Sequence, residues 1–164
     1  ISPMIVPLII TSAGMFFFYS KIGLTHTYLG LILAHTALGT PFVVITVTAT
    51  LTGFDTNLIR ASQSLGANTM RTFFKVIMPL ILPGVISGGL FAFITSFDEV
   101  VVVMFIGSVE QITIPKQMWA GLRQETSPVI LCMATCLVAL SIALLTTVEM
   151  LRRRSERLRG IKQR

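Results

Sequence analysis

Charge is scarce in this chain. Only 12% of its 164 residues are Asp, Glu, Lys or Arg, while 53% are hydrophobic and the mean hydropathy is +0.82. A soluble domain carries roughly 25% charged residues to clothe its surface, so an ordinary soluble fold is excluded and the bilayer becomes the expected solvent. Cysteine is scarcer still. Cys132 and Cys136 are the only two; they lie four apart in an apolar run, which excludes a disulfide framework and reads as a pair of small packing residues. The two histidines, His26 and His35, have no cysteine or carboxylate at metal-ligand spacing, so no metal site is expected. There is no glycine-rich loop ending in lysine and serine or threonine to cradle a phosphate. The many Ser and Thr residues have no credible base beside them, so no catalytic set emerges and no cofactor is implied.

What is present is long apolar runs. A hydrocarbon core of roughly 30 Å takes about 20 helical residues to cross, and four segments approach that length: about 4–19, 28–51, 79–106 and 128–148. Backbone amides in hydrocarbon must be satisfied within the segment, and no period-two alternation suggests a barrel. The expected fold is therefore all-α, a polytopic membrane helix bundle with four transmembrane helices. Pro3, Pro7, Pro41 and Pro83 predict kinks within it. Gly84, Gly88 and Gly89 predict close approach of another helix, within the chain or from another subunit.

The thirteen cations are placed unevenly. Ten lie in the loop 52–78 (Arg60, Arg71, Lys75) or in the tail 152–164, which puts both in the cytoplasm by the positive-inside rule and the loops around 21–27 and 109–127 outside. A basic cluster directly following an apolar run is a membrane flank and argues against nucleic-acid binding. The chain thus divides into a membrane domain, 1–151, and a basic cytoplasmic tail, 152–164. It opens with Ile1 inside an apolar stretch, and the expectation is an N-terminal truncation with two further spans upstream.

The cytoplasmic loop is the most patterned segment. Leu58, Ala61, Leu65 and Met70 recur at near-helical spacing, Gly66 followed by Ala67 offers a helix stop, and Asn68 or Thr69 can cap a second helix running into Phe73 and Phe74. A helix, a glycine turn and a second helix are predicted over 57–75, with an apolar ridge suited to a groove on a soluble partner. Its spacing resembles the signature of inner-membrane permease subunits of ABC importers: Glu-Ala-Ala, three residues, Gly, nine residues, Ile, one residue, Leu-Pro. Ala61, Gly66 and Pro79 match, Val76 and Met78 are conservative, and Arg60 and Ser62 depart from the acidic first residue and the third-position alanine. SPMIVP, LGLILAHTALGTPFVV, SFDEVVVVMFIG and ITIPKQMWAGLRQETSP are similar to permeases of the spermidine/putrescine type.

The resemblance implies a bacterial inner-membrane, multi-pass subunit that is itself no enzyme. Its partners would be a separate ATP-binding subunit (a dimer), a second homologous permease and an extracytoplasmic solute-binding protein. Arg60, Ala61, Ser62, Leu65, Gly66, Ala67 and Pro79 would then form the element that docks on the ATPase. A polyamine or similar organic cation is the expected cargo, with amino-acid-like compounds and other ions as alternatives. An intramembrane enzyme and a passive anchor are the competing classes.

Three residues are candidates for a solute pathway. Asp98 and Glu99 are the only adjacent acids in an apolar run; they would line a wet path, cap a broken helix, or pair with Lys116 or Arg123. Adjacent helical residues point about 100° apart, so both face one stripe only if the helix breaks. His35 would bind solute or hydrogen-bond a neighbouring helix. Phe16, Phe17 and Phe18 read as lipid contacts, Tyr19 and Trp119 as interface anchors, and 115–123 as a short helix lying on the membrane or meeting a solute-binding protein.

Overall fold

The computed structural model describes residues 2–124 and 128–158. Every regular element among them is helical: α1 (Ser2–Ile5), α2 (Leu8–Lys21), α3 (Tyr28–Thr52), α4 (Asn57–Ser64), α5 (Thr69–Thr72), a π-helical turn (Phe73–Ile77), α6 (Met78–Phe97), α7 (Val101–Ile106), α8 (Ile114–Gln124) and α9 (Pro128–Leu158). Among the described residues, three apolar stretches are long enough to cross a bilayer: Tyr28–Thr52, Thr69–Phe97 and Pro128–Thr147.

The boundaries differ from the hydropathy reading in three places. Pro7 cannot donate within a helix and separates α1 from α2, so the first apolar run yields a 14-residue helix, about 21 Å long. The run at 79–106 is cut at Asp98–Val100 into α6 and the short α7. Helix also begins ten residues before Pro79, because α5 and the π turn feed directly into α6. The proline accounts for the π turn: its ring conflicts with the carbonyl four residues back, that of Lys75, and a wider turn moves that carbonyl aside. At the other end, α9 runs unbroken through 151/152, so no helix boundary marks the basic tail; Glu125, Arg159, Lys162 and Arg164 lie outside the described residues.

Small residues organise the principal helix pair. The residues Gly84, Gly88, Ala92 and Ser96 form a four-residue ridge on α6 that descends α3 in antiparallel fashion. A Cβ at Gly84 would collide with the Thr50 hydroxyl, one at Gly88 with the Thr46 hydroxyl, and one at Gly39 would lie 2.9 Å from Ala92 Cβ. Backbones can approach this closely only where side chains are absent. Gly84 and Gly88 are thus committed to packing within the chain, whereas nothing lies within 4 Å of a Cβ at Gly89. Five hydroxyls of α3 are satisfied in this apolar setting, since Thr36, Thr40, Thr46, Thr50 and Thr52 each donate to a carbonyl four residues earlier.

A second core joins α2, α3 and α7. Val102, Val103 and Ile106 are fully buried against Tyr19, Leu31, Ala34 and Leu38. Tyr19 therefore belongs to the core and not to a membrane interface, while Phe17 and Phe18 stay exposed as expected of lipid-facing rings. Cys132 and Cys136 are free thiols exposed on α9. Trp119 is about half exposed on α8, the short helix expected near 115–123.

Candidate functional site

The helix pair at one end of the bundle is built by local rules. The α4 helix stops in a Schellman motif: Ala67 N–H donates to Ser62 O (3.1 Å), Gly66 N–H to Gln63 O (2.9 Å), and Gly66 takes φ +80°, a left-handed conformation open to glycine. Asn68 then caps α5, its Oδ1 accepting from Arg71 N–H at 2.8 Å. A buried hydrogen bond locks the two helices together, Ser62 Oγ to Thr72 Oγ1 at 2.6 Å. Ser62, a departure from the family pattern, is thereby a structural pin that alanine could not supply.

The apolar ridge faces outward. Leu65 is 88% exposed and Leu58, Met70 and Phe74 are also exposed, as are Arg60 and Ala61. Ala67 is half-buried beside the turn, and Pro79 is exposed at the start of α6. This is an exposed apolar knob joined at both ends to helices long and apolar enough to cross a membrane.

The opposite end of α3 carries a second construction. Loops 22–27 and 107–113 are laced together: His26 N–H donates to Ile106 O (2.8 Å), Gln111 Nε2 to His26 O (3.4 Å), and Ser108 N–H to Gln111 Oε1 (2.9 Å). The Lys116 ammonium donates to the carbonyls of Ser108 (2.9 Å) and Gln111 (3.2 Å), so it is engaged with backbone and not with Asp98 or Glu99.

Beneath this rim a cleft of about 760 Å³ follows α3 from Tyr28 to Val44. Its wall includes His35, Thr36, Thr40, Ser96 and Glu110. His35 Nδ1 and Ser96 Oγ are 2.9 Å apart, so the histidine is tied to α6 at the end of the glycine ridge and still lines the cleft.

The acid pair splits. Asp98 is exposed just past α6, whereas Glu99 is only 7% exposed and its Oε1 accepts from Val102 N–H at 2.9 Å in the first turn of α7. Neither lines the cleft. Sequence reasoning missed Thr36, Thr40, Ser96 and Glu110; the four-residue spacing of the first two, and of Gly88, Ala92 and Ser96, is the signal for the first three, and Glu110 has none.

Fold and site thus define a helical membrane component with an exposed apolar knob at one end and a solute-sized cleft at the other. The chain belongs to the family of binding-protein-dependent transport system inner membrane components, whose profile matches residues 1–157. It is 30% identical over 152 residues to the spermidine/putrescine transport system permease protein PotC of Haemophilus influenzae, covering 93% of this chain and 59% of that protein. The protein of the same name in Escherichia coli K12 is 29% identical over 150 residues, covering 92% and 57%. The putrescine transport system permease protein PotI of the same strain is 28% identical over 145 residues, covering 84% and 51%. The chain spans between half and three-fifths of the length of these relatives.

Proposed function

We propose that the chain forms the greater part of a permease subunit of an ATP-driven importer of polyamines. One observation carries the reading: the exposed helix, glycine turn and helix at 57–75 is continuous, through the π turn, with a 29-residue membrane-crossing run, Thr69–Phe97. That run is in turn pinned along α3 down to Ser96 and His35 at the cleft. A displacement imposed on the knob by a separate ATPase dimer is transmitted through a stiff helix to the solute path, as alternating access requires.

The knob and basic tail lie on the cytoplasmic side, where ten of thirteen cations concentrate. The laced rim then faces a solute-binding protein, and a second, similar permease completes the path. Arg60, Ala61, Ser62, Leu65, Gly66 and Ala67 form the ATPase contact, with Pro79 setting the start of α6. His35, in the cleft wall, is the pathway residue among the three candidates; Asp98 is exposed outside that lining, and Glu99 supports the break that lets α7 enter the bundle. Polyamine cargo is taken from the names of the relatives and suits the exposed acids.

The test is reconstitution of the complete subunit with its ATPase, partner permease and binding protein in proteoliposomes. ATP-dependent accumulation of labelled spermidine or putrescine is expected. Failure to accumulate either, with accumulation of another solute, would overturn the substrate assignment.

A further inference from the structure

The cleft beneath the laced rim shows an unusual polarity. The hydroxyl hydrogens of Thr36 and Thr40 are spent inside α3, donated to Ile32 O (2.7 Å) and Thr36 O (2.6 Å), so what each threonine turns to the cleft is lone pairs. Glu110, the one carboxylate among the described lining residues, is exposed at the rim and can only accept when ionised. The Gln111 amide is occupied on both sides by Ser108 N–H and His26 O, His35 and Ser96 are paired with each other at 2.9 Å, and Tyr28 and Thr113 add neutral hydroxyls to the lining. The nearest ammonium, that of Lys116, is held by carbonyls of the loop and is absent from the lining. Between these acceptors the wall is aliphatic: Leu31, Ile32, Val43, Val44 and Val103.

We infer that this cleft is a binding site for an extended alkylammonium solute, with Glu110 as the residue that selects for the leading positive charge. An ammonium donates and cannot accept, so a lining with a carboxylate, threonine lone pairs and no lysine or arginine is its complement. A carboxylate or phosphate solute meets no lysine or arginine among the described lining residues. The length fits as well: from Tyr28 to Val44 along α3 is about 24 Å at 1.5 Å per residue, a trough for a chain with methylenes against the valines and ammoniums at Glu110 and the threonine oxygens. Its volume falls within the roughly 300–1,000 Å³ usual for small-molecule sites. The inference rests on the permease reading above and adds to it the site, the discriminating residue and the reason for cation selectivity.

The experiment uses the complete reconstituted transporter with labelled spermidine. In Glu110→Gln and Thr40→Val, the half-saturating concentration is expected to rise by at least about tenfold, more than any fall in maximal rate, as loss of a hydrogen bond to a charged group implies. Glu110→Asp is expected to restore most of the affinity. A Thr40→Cys variant should react with a cationic thiol reagent applied from the binding-protein side and be protected by spermidine. Unchanged half-saturation in both substitutions, or an unreactive Thr40→Cys because a neighbouring helix fills the trough, would overturn the inference while leaving the permease reading intact. A wild-type transporter that imports another solute and no polyamine would instead overturn the permease's substrate assignment itself.

Discussion

Replacing Gly66 separates conformation from packing. Its φ of +80° lies in the left-handed region, yet nothing lies within 4 Å of a Cβ built there. A side chain therefore meets no clash within the chain, and the local cost is that of the backbone alone, about 1–2 kcal/mol for an ordinary L residue. That corresponds to about a 5- to 30-fold loss in the population of the docking turn relative to its alternatives. The rest of the helix pair has independent support in the Ser62–Thr72 bond and the Asn68 cap, so membrane insertion and the level of folded protein should be close to wild type. Gly66→Leu, in the complete subunit, is expected to lower solute-stimulated ATP hydrolysis and uptake together by that factor or more. Gly66→Asn, which tolerates the left-handed conformation, should retain most of both. Solute-stimulated ATPase and uptake at wild-type rates in Gly66→Leu would refute the reasoning that this turn couples hydrolysis to transport.

Other outcomes follow from the same structure. Ser62→Ala leaves the buried Thr72 hydroxyl without its partner, a cost of about 1–3 kcal/mol that limited proteolysis of the 57–75 segment should register; the double change with Thr72→Val should recover much of it. Gly88→Leu is expected to prevent α3 and α6 from closing, giving inserted but aggregation-prone protein by size-exclusion chromatography, while Gly89→Ala, on the open side of the same helix, is tolerated. Glu99→Ala removes the acceptor for the Val102 amide and should lower thermal stability by about 1–2 kcal/mol in a detergent melting assay, whereas Asp98→Asn, at an exposed position, should not.

Much of the architecture was legible because the bilayer imposes a length and the caps are local. The runs 28–51 and 128–148 can be read from hydropathy alone, and the Gly66 turn and Asn68 cap obey rules that span only a few residues. The breaks were harder. Val100 to Ile106 is as apolar as the helix before it, so hydropathy runs through Asp98 and Glu99 without a dip large enough to mark two helices; what separates them is burial of Val102, Val103 and Ile106 against α2 and α3. Tyr19 misled for the same reason, since its core position depends on α7 arriving from far along the chain. The cleft is the least local feature of all. It joins α3 to residues 110–113 with a hydrogen bond between His26 and Gln111, more than 80 residues apart, and no periodicity within either segment points to the other.

The central claim is that the knob around Leu65 is the cytoplasmic contact with an ATPase, and a single cysteine tests it most directly. In the complete transporter carrying Leu65→Cys, the account predicts cross-linking to the ATP-binding subunit, and no modification by an impermeant thiol reagent added outside intact cells. Modification from outside, or active transport with no cross-link to the ATPase, would contradict it.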